Sequence, residues 1–164
     1  MGLGKDYAAQ DCSLARALEV VGERWTLLIV RDAFYGVRRF SDFQAHLDIP
    51  RAVLSSRLHA LTEAGVLDKH GHEYVLTSMG TELWPVVHTL ARWGERHLDG
   101  GACRLFLHAA CGSRLGPDGT CPECDRFVAP EDVEIHVGPG LGRRRDAVTL
   151  ALREPHRMLE PIET

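Results

Sequence analysis

The sequence predicts a mainly α-helical fold with one small β-hairpin, followed by a short β-rich segment that contains most of the cysteines. Leu54, Leu58 and Leu61 recur at helical spacing. After Gly65 the apolar period changes, and two short extended runs flank a polar turn. Beyond residue 100, histidine and cysteine occur in pairs separated by two residues. These three features predict the fold class.

Two helices open the predicted fold. Residues 12–21 place Leu14 and Leu18 on one face, and Gly22 ends that helix. Residues 25–34 are apolar on most sides, which is typical of a helix inside a core.

A short strand and a third helix come next. Residues 37–40 can form the strand, and Ser41 is a favourable N-cap for the helix that follows it. Phe43 and Leu47 mark the buried face of this helix. A short helix, a tight turn and a second helix with a polar face together predict a helix-turn-helix.

The second helix of that pair covers residues 50–64, and its sequence suits a DNA groove. Pro50 stands at its start and Gly65 just past its end. The outer face carries small or polar side chains, and Arg51 lies in the first turn. Such a helix can enter a major groove and bring its first-turn side chains to base edges. Taken alone, the same stretch also fits an ordinary solvated surface helix.

A β-hairpin directly behind this helix is predicted as the wing of a winged helix-turn-helix. Residues 66–67 and 74–76 are the extended runs, and Gly71 is the centre of the turn between them. Thr77 caps a further helix, in which we expect Pro85 to cause a kink.

The last predicted helix of this domain has an apolar stripe, formed by Leu83, Val87, Leu90 and Trp93. The domain is so small that this stripe has little left to pack against within it. A partner helix from a second subunit is the expected cover, because two-fold dimers are the commonest oligomers. A helix folded back on its own domain is the alternative.

Composition limits the class of protein. No signal peptide and no apolar run of membrane-spanning length are evident, so we expect a soluble cytoplasmic protein without a membrane partner. Five cysteines in such a chain indicate metal or redox chemistry before disulfides. The formal net charge of −4 argues weakly against nucleic acid, but the positions of the arginines matter more than the sum.

A zinc ribbon is predicted after the Gly100-Gly101 boundary. His108-x2-Cys111 is followed by Cys121-x2-Cys124, and the loop between the pairs is rich in glycine. Cys103 is the alternative to His108 as the fourth ligand. Four protein ligands make a closed, structural site. The alternative is a pair of hairpins that binds no metal and has free thiols.

An enzymatic zinc site is not expected in this segment. The zinc deaminase signature requires H-x-E ahead of P-C-x-x-C. No H-x-E precedes Cys121, and Pro122 follows that cysteine instead of preceding it. We therefore predict that the protein is not an enzyme.

From Cys12 to about Trp93 the chain resembles the HxlR-type (DUF24) winged helix-turn-helix regulators of bacteria. The motifs that carry the resemblance are an early Cys, RWTLLIVRD, G-x-RRF, LSSRL, LTEAGVL and Y-x-LT-x-x-G. The resemblance implies a homodimer that binds an inverted-repeat operator on double-stranded DNA and controls nearby genes, with repression as the expected mode. It does not identify an inducer, whether a small molecule or an oxidant.

The resemblance also assigns candidate DNA contacts. Base contacts are expected from four residues of the recognition helix, Arg51, Ser55, Ser56 and His59. Phosphate contacts are expected from Arg57, Arg38, Arg39 and Lys69. Many relatives have a longer, proline-containing basic wing. Here the wing keeps Lys69 and two histidines, so we expect it to touch phosphates at most.

Cys12 occupies the position of the family's early cysteine, which senses oxidants, aldehydes or quinones in some relatives. A thiol near a helix N-terminus can have a lowered pKa, and the thiolate is the reactive form. A small residue that packs in the dimer interface is the alternative.

The predicted organisation has three parts: residues 1–99 for DNA binding and dimerisation, residues 100–140 for the zinc-ribbon-like extension, and residues 141–164 for a tail with a short helix. A protein-interaction module is the rival function, in which the winged helix and ribbon dock a protein and not DNA. The net negative charge and the short wing favour that rival slightly.

Overall fold

The computed structural model describes residues 6–7 and 9–164. The elements up to residue 97 are α1 (Ser13–Val21), α2 (Thr26–Phe34), α3 (Phe40–Leu47), α4 (Arg51–Glu63), β1 (Leu67–His70), β2 (Glu73–Leu76), α5 (Ser78–Thr81) and α6 (Trp84–His97). The remaining elements are β3 (Arg104–His108), β4 (Thr120–Cys121), β5 (Arg126–Phe127), a 3-10 turn (Pro130–Asp132), β6 (Val133–Val137), α7 (Ala147–Ala151) and β7 (His156–Arg157). This mainly helical fold with small antiparallel sheets confirms the predicted fold class.

Helix α2 packs against both helices of the helix-turn-helix, α3 and α4, and against α6. Its Ile29 and Phe34 are fully buried, as expected for a helix that is apolar on most sides. Leu54, Leu58 and Leu61 of α4 are also buried, so the opposite face of α4 is turned outward. Between α3 and α4 the chain turns at Asp48, whose φ of 52° is left-handed.

The wing forms as predicted. Strands β1 and β2 pair antiparallel, with Leu67 opposite Leu76 and His70 opposite Glu73. Gly71 occupies the turn with a φ of 61°, a conformation that favours glycine because a side chain would be strained there.

Two local predictions are wrong. Residues 37–40 form no strand, because α3 already begins at Phe40 and only an isolated bridge joins Arg39 to Glu73. Arg39 is therefore the N-cap of α3, and Ser41 lies inside its first turn without capping it.

Pro85 does not kink a long helix. The chain breaks after α5, and Pro85 lies in the first turn of α6. Proline is favoured there because the missing N–H would have no helical acceptor. Thr77 caps α5 as predicted, since its Oγ1 accepts a hydrogen bond from the Gly80 N–H at 3.0 Å.

The C-terminal part forms a three-stranded antiparallel sheet in the order β3-β6-β7 and a separate β4-β5 hairpin. Its core is continuous with that of the helices. The ring of Trp84 on α6 lies 5.6 Å from the ring of Phe34 and 5.2 Å from that of Phe106 on β3. The division at residue 100 stays a prediction, and the buried core extends across it.

The last residues return to the helix-turn-helix. The Leu159 N–H donates to the Phe34 carbonyl oxygen at 2.8 Å, and the Ile162 N–H donates to that of Gly36 at 3.0 Å. Helix α7 also packs against α3. In the described part of the chain, no helix combines the length and apolar character needed to cross a membrane.

Candidate DNA-binding surface and metal centre

The outward face of α4 carries the four candidate base-contacting residues, Arg51, Ser55, Ser56 and His59, and all four are exposed. Leu54 and Leu58 hold the helix against the core from its other side. The Arg51 guanidinium lies 5.0 Å from the centre of the Phe40 ring, a cation–π distance. Arg51 is thereby held at the N-terminal end of α4, where recognition helices read base edges.

The four candidate phosphate-contacting residues have different surroundings. Arg57 lies 3.4 Å from Glu23, and Arg38 lies 3.7 Å from Glu73 and also donates to the Leu159 carbonyl oxygen. Arg39 and Lys69 are exposed, and within residues 6–7 and 9–164 neither forms an ion pair. No carboxylate neutralises Arg39 or Lys69, although the Lys69 Nζ lies 5.4 Å from the centre of the Tyr74 ring. To contact a phosphate, Arg38 and Arg57 would have to leave their carboxylate partners.

Helices α1 and α6 each expose an apolar face. Leu14 on α1 is 66 % exposed, and Leu90 and Trp93 on α6 are 52 % and 50 % exposed. The predicted stripe on α6 is thus covered only in part: Leu83 and Val87 are half-buried against the core, but Leu90 and Trp93 are not.

Cys12 is exposed and is the N-cap residue of α1. Its carbonyl oxygen accepts a hydrogen bond from the Arg16 N–H at 3.1 Å, which is the first bond of the helix. The side chain is therefore accessible beside a helix N-terminus, as a sensing role requires.

The structure brings His108, Cys111, Cys121 and Cys124 together, and one ligand atom of each lies within 4.8 Å of all the others. Cys111 Sγ is 3.4 Å from Cys121 Sγ and 3.8 Å from Cys124 Sγ. Two thiolates bound to one tetrahedral zinc lie about 3.8 Å apart, because each Zn–S bond is about 2.3 Å. The four residues therefore fit a closed tetrahedral zinc site.

Cys103 lies outside this cluster, with its Sγ 3.4 Å from the Gly140 carbonyl oxygen. His108 is instead the residue that completes the group, because β3 ends there and the chain turns back at once. The Gly112 N–H donates to the His108 carbonyl oxygen at 2.8 Å, and Gly112 takes a left-handed φ of 73°. The β4-β5 hairpin supplies the other pair.

The cluster favours thiolate at one position. The Ser113 backbone N–H points at Cys111 Sγ, and with the neighbouring thiols and His108 it lowers the pKa of Cys111 to about 6. Hydrogen bonding with Cys121 and burial raise the pKa of Cys124 to about 11. Zinc binding requires thiolates, so it would displace the proton held at Cys124.

Two histidines outside the cluster connect distant parts of the chain. His88 of α6 is buried, and its Nε2 donates to the Gly116 carbonyl oxygen at 2.8 Å, in the loop between the two ligand pairs. His46 of α3 contacts the buried Asp32 at 2.7 Å. No local pattern announces these contacts, because each partner lies far away in sequence.

Comparison with known proteins places these features in a family. Residues 20–101 match the model of the HxlR-like helix-turn-helix family. An uncharacterized HTH-type transcriptional regulator of Mycobacterium tuberculosis (strain ATCC 25618 / H37Rv) is 42 % identical over 138 residues, covering 78 % of this chain and 87 % of that one. A Bacillus subtilis (strain 168) regulator of the same type, YdeP, is 29 % identical over 59 % of this chain and 84 % of its own.

Two solved structures are also similar. PA1607, described as a proposed transcription factor, has a TM-score of 0.60 and 34 % identity, covering 74 % of this chain and 92 % of its own. The redox regulator HypR in its oxidized form has a TM-score of 0.50 and 28 % identity, covering 54 % of this chain and 99 % of its own. The matches to the M. tuberculosis regulator and to PA1607 cover 78 % and 74 % of this chain. Both shares are larger than residues 1–99 make up, so both matches include part of the C-terminal segment.

Proposed function

The chain belongs to the HxlR-like helix-turn-helix family and is a DNA-binding transcriptional regulator and not an enzyme; from this premise we propose that it binds an inverted-repeat operator as a homodimer and represses nearby genes. The observation that carries this proposal is the outward face of α4, where small polar side chains surround Arg51 above a fully buried leucine face. A regulator with this role acts in the cytoplasm, where bacterial DNA lies.

Discrimination between sequences rests on α4. A guanidinium can donate two hydrogen bonds to O6 and N7 of guanine, so Arg51 is the strongest candidate for a base contact. Ser55, Ser56 and His59 follow on the same face. Arg39 and Lys69 bind phosphates and so supply salt-dependent affinity. Arg38 and Arg57 add to this affinity when a phosphate displaces their carboxylate partners.

Dimerisation is supported by the uncovered apolar faces of α1 and α6. Leu14, Leu90 and Trp93 are large apolar side chains that are at least half exposed in the single chain. Covering them against a second copy removes that surface from water, which is the main favourable term in association. Two recognition helices related by a dyad would then lie about 34 Å apart, one turn of DNA.

Selection of binding sites from random DNA duplexes at physiological salt, with reductant and without chelator, tests the proposal. We expect enrichment of an inverted repeat whose half-site centres are about 10 base pairs apart or a multiple of that distance. Enrichment of a single half-site would contradict the dimeric operator. Repression is checked separately, by transcription in vitro from a promoter that contains the selected site.

The rival function is a protein-interaction module. The net charge of −4 and the short wing favour it, since neither attracts a polyanion. Failure of the purified, zinc-loaded protein to enrich any DNA sequence would support this rival over operator binding.

We also propose that His108, Cys111, Cys121 and Cys124 hold a structural zinc ion. The close packing of their ligand atoms supports this assignment. A bound zinc would join β3 to the β4-β5 hairpin and replace the shared thiol protons by a charge-neutralising ion. Because all four ligands are protein groups, it would leave no position for a substrate.

Cys12 is the proposed sensing thiol, since it is exposed at the start of α1 and a structurally similar protein, HypR, is a redox regulator. Alkylation of the zinc-loaded protein with iodoacetamide is expected to weaken operator binding, and the Cys12→Ser variant is expected to resist that effect. Unchanged operator affinity after complete modification of Cys12 would overturn the sensing role.

A further inference from the structure

Two cavities of about 300 Å³ each adjoin one another between the helix-turn-helix and the C-terminal sheet. The first, between α2, α6 and β3, has apolar walls that include Val87, Leu98 and Phe106. The second, between α2, α3 and α7, includes Leu28, Leu47 and Leu141. The residues that line both cavities are Arg31, Tyr35, Cys103 and Arg104. Each cavity has the volume of a small-molecule site with a few polar groups in an apolar wall.

Arg104 is the unusual residue at this junction. It is only 8 % exposed, and its Nη1 donates to the Leu152 carbonyl oxygen. Within the described chain no carboxylate lies at ion-pair distance from Arg104, and Asp146 acts on it only at longer range. Buried charges in proteins are normally paired, because an unpaired one loses its hydration without compensation.

Most of the other charged groups around the cavities have partners. Arg31 is paired with Asp32 at 2.6 Å, and Arg144 is paired with Asp146 at 3.4 Å. Glu95 is paired with Arg92 at 2.5 Å and with Arg114 at 3.3 Å, and His46 contacts Asp32. Asp99 also lines the first cavity and forms no ion pair within the described chain, but it is exposed to solvent. Among the described residues that line the cavities, Arg104 is therefore the buried charged group without an ionic partner.

Tyr35 provides a second polar group beside this charge. The residue is 5 % exposed, its ring lies 6.3 Å from that of Phe106, and it lines both cavities. Burial lowers the pKa of Arg104 and raises that of Tyr35, because it disfavours the charged form of each group.

We propose that the two cavities bind a small organic monocarboxylate with an apolar body, its carboxylate on Arg104 and the Tyr35 hydroxyl and its body against Val87 and Phe106. One negative charge matches the single buried cation, Arg104, whereas the second negative charge of a phosphate monoester would have no buried cation to pair with and would lie near the Asp99 carboxylate of the same cavity. The apolar walls favour an aromatic or branched aliphatic body over a sugar or an amino acid. Nothing in this site overlaps the outward face of α4, so ligand binding does not depend on the DNA-binding role.

Calorimetric titration of the zinc-loaded protein, without DNA, tests the proposal with 3-phenylpropanoate and its neutral amide as probes. We expect the acid to bind with one site per chain and the amide to bind at least about tenfold more weakly, because a hydrogen bond to a charged group is lost. Arg104→Gln removes the charge and keeps a polar side chain, and it is expected to weaken binding of the acid about tenfold or more. Tyr35→Phe is expected to weaken it several-fold while leaving the fold intact.

Arg153→Gln is the matched control, because Arg153 is exposed and lines neither cavity. It should bind the acid as the parent protein does. Equal affinity for acid and amide would overturn the proposal, as would unchanged affinity in both the Arg104→Gln and Tyr35→Phe variants. So would the absence of saturable binding in the parent protein. None of these titrations contains DNA, so a negative result would overturn the ligand site without bearing on the operator proposal.

Discussion

Arg51 is the residue on which sequence discrimination depends most. It is exposed in the first turn of α4, and its guanidinium lies over the Phe40 ring. We predict that Arg51→Ala weakens operator binding by about 1–3 kcal/mol and relaxes specificity at one base pair of each half-site. Fluorescence anisotropy with the selected operator and its single-base variants measures both effects.

Arg39→Ala is the comparison variant for this prediction, because Arg39 is also exposed but lies outside α4. It should weaken all sequences about equally and reduce the salt dependence of binding by about one phosphate contact. If Arg51→Ala shows this uniform pattern instead, Arg51 is a phosphate contact and α4 enters the groove in a different register.

His88 makes stability depend on pH. Burial lowers its pKa, although its hydrogen bond to the Gly116 carbonyl oxygen opposes that effect. In the unfolded chain a histidine has a pKa of about 6.5, so below that pH the unfolded state binds more protons than the folded state. The contribution of His88 is therefore present above about pH 6.5 and is lost as the pH falls below it.

Urea unfolding of the parent protein and of His88→Gln, at about pH 7.5 and about pH 5.5, isolates this contribution. We expect the parent to lose more free energy of unfolding on acidification than the variant, by at most about 1.4 kcal/mol per pH unit for a single proton. All ionisable groups other than His88 are the same in the two proteins, so their effects cancel in the comparison. Parallel losses in the two proteins would contradict the role assigned to His88.

Among the elements, α1 and α6 leave the most apolar surface uncovered, and the second subunit is the proposed cover. We predict that Leu90→Glu converts the dimer to a monomer, because it places a charge in the centre of the apolar face of α6. Leu150→Glu is the matched control, since Leu150 is a comparably exposed leucine on α7. Sedimentation equilibrium distinguishes the two variants, and a Leu90→Glu protein that stays dimeric would exclude α6 from the interface.

At the scale of the elements, some features could be predicted from the sequence and others could not. Helix α4 and the wing follow from local signals, namely the leucine period, Pro50, and Gly71 in the turn. The sequence predicts a kink at Pro85 where the structure has the start of a helix, because a proline in a helical pattern fits both a kink and a first turn. The clustering of His108, Cys111, Cys121 and Cys124 is predictable because their pairs are local in sequence. The Arg104–Tyr35 junction is not predictable, because it depends on how β3 packs against α2.

Over the whole molecule, the C-terminal segment is built into the core of the winged helix and not appended to it. Trp84 of α6 contacts both Phe34 and Phe106, and the chain end pairs with the backbone of residues 34–36. His88 joins the same helix to the loop between the ligand pairs. We therefore expect a change at the proposed zinc site to affect the helix that carries the proposed dimer face.

This shared core gives the last prediction, on metal removal. Chelation of zinc should lower the stability of the whole chain in one transition, because Cys121 and His108 are buried against the common core. A ligand that binds only the folded state stabilises it by about 4 kcal/mol when its free concentration is a thousandfold above Kd.

Cys121→Ser should reproduce the loss, whereas Cys103→Ser, outside the cluster, should keep one zinc per chain and full stability. The zinc content and the thermal unfolding of the parent protein and of both variants test this prediction. Zinc loss from Cys103→Ser would make that residue a ligand, and separate melting of the C-terminal segment would show that the core is not cooperative across residue 100.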